Sequence, residues 1–283
     1  MEFSAASDWV PISEIELPFQ TKSYHKNLQV RKITVDLDEH QLEGYEFLLP
    51  NNKSKLTWFA WPEWIDKPVI PDNSEYHSIK VLGNEVLQPR KTRCYVHSYK
   101  YSNTWHPLEK EVPDDIQNLL DWTTLLYNAD DEEKYGTPMC LVNEYTTLRH
   151  CIGVHSDDEE QFGTLRDVIC WVDGATRRLI LRDKKTKAMV LNLELPEGLY
   201  IMRGRSFQKD YTHEIPRAMD STFEELRKLL PEKIKSHDKN QIADWMSANS
   251  KWVKENTESK LYQRYLKWNQ IRVSYTVRFF KEQ

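Results

Sequence analysis

Hydrophobic and polar residues alternate along much of this chain, the period of strands with one buried face. In residues 30–37, Val30, Ile33, Val35 and Leu37 are spaced by charged and polar neighbours, which predicts a strand. It is the one convincing strand pattern in the polar first 55 residues. The alternation breaks at Pro50-Asn51-Asn52, a loop signal. An aromatic-rich run at 56–64 follows, closed by Pro68 and Pro71. Gly83-Asn84 sits between two apolar runs and predicts a tight hairpin turn, and 93–101 reads as a further strand. Beyond 140, strand patterns recur at 140–145, 165–172, 178–182, 188–193 and 199–203, with a last one at 271–280. Short, evenly spaced strands divided by turn residues predict an antiparallel sandwich or jelly roll.

Two stretches follow the helical period instead. Residues 113–128 open with Pro113, Asp114 and Asp115 and set Ile116, Leu119, Leu120 and Leu125 in one stripe. Ser221 and Glu224 form a capping-box pattern. It precedes a run at 240–268 in which Ile242, Trp245, Met246, Trp252 and Val253 recur at helical spacings. The segment 220–270 reads as a helical insertion within a β domain, its tryptophans a packing stripe. The predicted class is α+β: a double-stranded β-helix (jelly roll) core with flanking helices and a C-terminal helical insertion.

Composition narrows the function classes. The chain has 283 residues, 39% hydrophobic and 29% charged, enough for a sizeable core. No run approaches the ~20 apolar residues of a membrane span. The first residues have neither the basic start nor the apolar centre of a secretory signal. Cys94, Cys140, Cys151 and Cys170 form no CxxC pair, which reads as free thiols in a reducing compartment. These features predict an intracellular monomer with no membrane partner, nucleus and cytosol not distinguished. The net charge of −5 excludes a globally basic surface. It leaves local basic patches at 90–93, 177–178, 182–187 and 203–205 for any nucleic-acid contact.

Candidate chemistry lies in two places. In His155-Ser156-Asp157, positions i and i+2 of an extended chain point the same way, so an imidazole and a carboxylate converge. His213 follows downstream. Two histidines and one carboxylate occupy one face of an Fe(II) ion and leave the other open. Near the C-terminus Arg272, Ser274, Thr276 and Arg278 share one strand face. A guanidinium fork there would hold a carboxylate through two charge-assisted hydrogen bonds. Each histidine alone reads more simply as a surface or hydrogen-bonded residue. The joint pattern favours iron, with a seat for a dicarboxylate beside it.

These motifs resemble the AlkB family of 2-oxoglutarate-dependent dioxygenases, most closely its branch that repairs alkylated DNA. The family's N-x-Y is Asn143-Glu144-Tyr145, its H-x-D-D-E is His155-Ser156-Asp157-Asp158-Glu159, and its distal histidine is His213, followed by Pro216. Its closing R-x-N-x-T-x-R reads here Arg272-Val-Ser274-Tyr-Thr276-Val-Arg278, with Ser274 in place of the asparagine. The resemblance implies Fe(II) on His155, Asp157 and His213, with 2-oxoglutarate and O2 at the open positions. It implies Arg272 and Tyr145 at the distal carboxylate of 2-oxoglutarate, and Asn143, Ser274 and Arg278 along the rest of that molecule. It divides the chain into an N-terminal extension (1–55), a substrate-recognition lid with its supporting helix (56–135) and an oxygenase core (136–283).

On the substrate side the resemblance implies demethylation of an N-alkylated base in DNA or RNA. Tyr101 is the candidate stacking platform for a flipped base. Asp158 and Glu159 are placed at the base edge, and Leu82 is the candidate wedge at a hairpin tip. Cys94-Tyr-Val-His97 stands where relatives carry a glycine-rich stretch. The alternatives are the same chemistry on a protein side chain or small molecule, and a binding module with a silent metal site.

Overall fold

A computed structural model describes residues 3–69, 76–81, 83–101, 104–106, 108–127, 135–146, 150–159, 162, 167–217, 271–280 and scattered positions between 227 and 248. The N-terminal region folds into short strands β1 (Ser4–Ala5), β2 (Val10–Pro11) and β3 (Thr21–Tyr24), then β4 (Gln29–Leu37), β5 (His40–Leu48) and β6 (Lys55–Phe59). Next come β7 (Tyr76–Val81), β8 (Asn84–Tyr95), β9 (Tyr99–Tyr101), β10 (Thr104–His106) and helix α1 (Asp114–Tyr127). The remaining elements are β11 (Thr137–Tyr145), β12 (Ile152–His155), β13 (Val168–Gly174), β14 (Arg177–Asp183), β15 (Met189–Leu195) and β16 (Gly198–Arg203), then α2 (Arg205–Asp210), β17 (Tyr211–Ile215), α3 (Glu232–Lys235) and β18 (Arg272–Phe280).

Among the described residues these strands form two large antiparallel sheets. The major sheet runs β1-β4-β5-β6-β16-β13-β18-β11-β8-β7, with β2 joined to β4. The minor sheet runs β12-β17-β14-β15-β3. Apolar residues of both sheets meet in one core, Phe47, Leu56 and Val168 from the major sheet against Leu181, Leu191 and Leu193 from the minor. The other face of the major sheet is covered by α1, whose Ile116, Leu119 and Leu120 pack on Ile169, Trp171 and Val277. Trp171 Nε1 donates to Thr123 Oγ1 at 2.9 Å and ties helix to sheet. The result is a jelly-roll-like sandwich with a helix on its back.

Strand β18 runs through the middle of this arrangement and is buried along its whole length. Its odd positions, Val273, Tyr275, Val277 and Phe279, belong to the core under α1. Its even positions, Arg272, Ser274, Thr276 and Arg278, line a pocket between the sheets. An alternating polar–apolar strand ordinarily turns its polar side to water; here the polar side faces inward. Gly174 (φ 85°) fixes where β18 starts, because a Cβ there would overlap the Ile271 carbonyl.

Several sequence expectations shift. The strand expected at 30–37 is β4, but it is one of six in the first 59 residues, and β4 to β6 continue the major sheet. The hairpin turn is offset by one residue, since Val81 pairs with Asn84, and Gly83 takes the left-handed conformation (φ 82°). The strand expected over 93–101 is divided, because Val96 adopts φ 73° and ends β8. In α1, Leu125 is 45% exposed, and Thr123, Leu126 and Tyr127 complete the buried stripe instead. The helical insertion at 220–270 lies mostly outside the described residues; within it α3 is a single turn.

Candidate metal centre

The pairing of β12 with β17 sets His155 directly opposite His213. Their rings are tilted with centroids 4.1 Å apart. Asp157 follows two residues beyond the end of β12. Its Oδ2 lies 3.4 Å from His213 Nε2 and its Oδ1 4.0 Å from His155 Nε2. One potential ligand atom from each residue lies within 4.8 Å of the others, a spacing that one ion can bridge. His155 Nδ1 lies 2.8 Å from the Gly153 carbonyl. A carbonyl only accepts, so Nδ1 carries the proton and Nε2 is left with its lone pair toward the centre.

Electrostatics keep all three groups in the ligating form. Burial lowers His213 to about 3, with His155 adding to the effect. His155 is likewise lowered by burial, against the opposing pull of Asp157. Burial raises Asp157, but Arg278 and the two imidazoles outweigh it and hold the carboxyl at about 2. Near neutral pH the site therefore holds two neutral imidazoles and a carboxylate. Asp157 Oδ1 accepts from Arg278 Nη2 at 2.6 Å, while the buried Oδ2 has no hydrogen-bond donor among the described residues. A buried carboxylate oxygen aimed at neutral imidazole nitrogens is costly without a cation. That geometry and the N2O donor set fit Fe(II).

The dicarboxylate seat is built by β11 and β18. Their antiparallel register puts Tyr145 opposite Arg272 and Asn143 opposite Ser274. All four side chains line the same pocket as the triad. Arg272 is 1% exposed, and burial lowers its guanidinium from the usual range. Its Nη1 donates to the Ala175 and Leu195 carbonyls at 3.3 Å each, and its Nε has no hydrogen-bond partner among the described residues. Among the described residues no carboxylate pairs with it. A fully desolvated cation without a counter-ion is what a bound carboxylate would satisfy.

The candidate substrate residues are less gathered. Tyr101 ends β9, which pairs with β10 in a separate two-stranded ribbon; its side chain lies outside the described residues, as does Leu82. The Asp158 side chain is 59% exposed and receives Lys184 Nζ at 2.8 Å. Glu159 is half-buried beside it. The basic patches are partly not patches: Arg90, Arg93 and Arg177 are buried, and Arg203 reaches the buried Glu46 at 2.8 Å. Arg90 lines the pocket and its Nε donates to Asn143 Oδ1 at 2.6 Å. Sequence reasoning took Arg90 for rim charge and missed this role, as it missed Gln208, whose Oε1 accepts the Asp157 N–H at 2.9 Å.

Residues 28–278 match the family model of the 2OG-Fe(II) oxygenase superfamily. No curated protein is significantly similar in sequence. Among solved structures, a Pseudomonas putida prolyl-4-hydroxylase is similar at 8% identity and a TM-score of 0.36, over 69% of this chain and 73% of that one. Fe(II), 2-oxoglutarate and O2 are the metal and cosubstrates of the matched family. With the triad, the buried arginine and a match over most of its length, the chain belongs to the 2-oxoglutarate and Fe(II)-dependent oxygenase superfamily.

Proposed function

We propose that this oxygenase is AlkB-like and demethylates N-alkylated bases in DNA or RNA. One observation carries the reading. The two cosubstrate motifs of the AlkB resemblance, Asn143-Glu144-Tyr145 and Arg272-Val-Ser274, are direct cross-strand partners and line one pocket with His155, Asp157 and His213. His155, Asp157 and His213 hold Fe(II). Arg272 clamps the distal carboxylate of 2-oxoglutarate, with the Tyr145 hydroxyl beside it. Arg278 steadies Asp157, and Arg90 steadies Asn143 near the chelating end. Leu56, Val168, Leu179, Leu195 and Met202 wall the pocket and exclude water.

Bound Fe(II), with 2-oxoglutarate and O2, supplies the oxidant that hydroxylates an N-methyl carbon; the products are succinate, CO2 and, after breakdown, formaldehyde and the bare base. The chain's task is to seat the base beside the metal. Tyr101 stacks on it, Asp158 and Glu159 meet its edge, and Leu82 wedges the strand it leaves. These residues place the lid within 56–135 and just past the metal ligand. A second reading is the same chemistry on a protein side chain or small molecule. It is favoured by the Lys184 ion pair, which already engages Asp158, and by the net charge of −5.

Oligonucleotides bearing N1-methyladenine or N3-methylcytosine, single-stranded and duplex, separate the two. Formaldehyde release from any of them in step with succinate supports the nucleic-acid reading. Turnover on peptides with none on any oligonucleotide refutes it.

A further inference from the structure

The ladder that brings the two histidines together is short. Between β12 and β17 only Ile152↔Ile215 and His155↔His213 pair, with an irregular register between them. Asp157 lies past the end of β12, so no ladder partner takes its N–H. The sheet alone therefore does not fix the carboxylate relative to His213.

A second tie runs through α2, the short helix leading directly into β17. Gln208 of α2 is 3% exposed. Its Oε1 accepts the Asp157 N–H at 2.9 Å. A backbone N–H only donates, so the amide oxygen faces Asp157, and Nε2 turns toward Met202 Sδ at 3.9 Å. Lys184 Nζ closes the loop, donating to the Gln208 carbonyl and to Asp158 Oδ2, each at 2.8 Å. The helix is itself anchored. The Gly204 N–H donates to Asp167 Oδ1 at 2.6 Å, and Phe207 and Tyr211 are buried in the core between the sheets.

We infer that Gln208 is a positioning residue of the iron site: its amide clamps the Asp157 backbone to the helix that delivers His213, and so sets the spacing of two of the three ligands. This latch rests on the metal centre and is independent of which organic substrate is oxidised. Groups that orient metal ligands from behind typically change metal affinity about 10- to 100-fold when removed.

The test is Mn(II) affinity, read from the free-ion electron paramagnetic resonance signal, beside the thermal midpoint of the metal-free protein. Gln208→Leu keeps the volume and removes the acceptor. It is expected to weaken Mn(II) binding about tenfold or more, with 2-oxoglutarate affinity at saturating Mn(II) unchanged. Gln208→Glu keeps an acceptor for the Asp157 N–H and is expected to bind Mn(II) at least as tightly as the wild type. If Gln208→Leu does not fold, Gln208→Asn carries the same test, since its oxygen is withdrawn by one methylene. Mn(II) affinity within about twofold of wild type in the leucine variant, or in the asparagine variant where it replaces it, would overturn the inference. So would equal losses in the leucine and glutamate variants, which would mark Gln208 as packing alone.

Discussion

Two buried charges, Glu46 and Arg272, show how differently this fold treats structure and function. Glu46 is fully buried, yet its carboxylate is met by Arg31 at 2.6 Å, Arg203 at 2.8 Å and Lys55 at 3.3 Å. Every charge there is answered by the chain itself, and the cluster stitches β4, β5, β6 and β16 together. Arg272 is equally buried, but among the described residues it makes two long hydrogen bonds to the Ala175 and Leu195 carbonyls and meets no carboxylate. Asp157 stands between the two cases, with one oxygen held by Arg278 and the other without a hydrogen-bond donor among the described residues. Desolvating an ion costs several kcal/mol. A fold that bears this cost without internal compensation keeps the charge for something that arrives later. The self-satisfied cluster reads as architecture, and the other is the proposed binding site.

The sharpest way to break this contrast is at the metal. Asp157→Ala removes a candidate ligand and the oxygen that accepts from Arg278 Nη2. Fe(II)-dependent succinate release is expected to fall to background, with metal affinity down by at least ~100-fold, at or beyond the upper end of the ~10–100-fold typical of supporting residues. Next in size is Glu46→Gln, which removes the negative charge that three cations share. It should cost about 2–3 kcal/mol in urea denaturation. That is less than the ~3–5 kcal/mol of a fully buried pair, because the Arg31, Arg203 and Lys55 side chains keep 18, 20 and 32% exposure. Metal and 2-oxoglutarate affinities of its folded fraction should be unchanged.

The smallest expected effect is a weakened pH dependence. A free imidazole takes up a proton near 6.5 and would weaken metal binding progressively below that pH. His213, held at about 3, and Asp157, at about 2, take up none between pH 8 and 6. His155 is lowered too, so Mn(II) affinity should fall less between pH 8 and 6 than that of a site of free imidazoles would. A tenfold loss per pH unit beginning near 6.5 would mean the histidines are not desolvated as described.

Much of this was legible in the sequence, unevenly and for physical reasons. Strand β18 announces itself because one face is uniformly apolar, and β4 and β14 through their runs of β-branched and leucine residues. The R-x-S-x-T-x-R stripe was readable as a shared face, although only the fold shows that this polar side is buried as fully as the apolar one. Strands β12 and β17 were not legible. They are four and five residues long, and β12 is half exposed, so no apolar period marks them. Yet they carry the two histidines. Arg90 and Gln208 were invisible for another reason: their partners, Asn143 and Asp157, are remote in sequence and meet them only through β8–β11 pairing and the placement of α2. Leu125 misled because the helical stripe was drawn one residue too wide, while Thr123 can be buried because its hydroxyl donates to the Leu119 carbonyl, which composition does not reveal.

The contrast between answered and unanswered charge is tested most directly by calorimetric titration of 2-oxoglutarate into Mn(II)-loaded protein, wild type against Arg272→Met. Losing the guanidinium should cost about 2–5 kcal/mol of cosubstrate affinity, a factor of ~30 or more. Metal affinity should hold. The stability of the metal-free protein should hold or rise, since methionine replaces a desolvated cation that has no internal counter-ion. Unchanged 2-oxoglutarate affinity, or a loss of stability like that expected of Glu46→Gln, would show that Arg272 belongs to the architecture and not to the site.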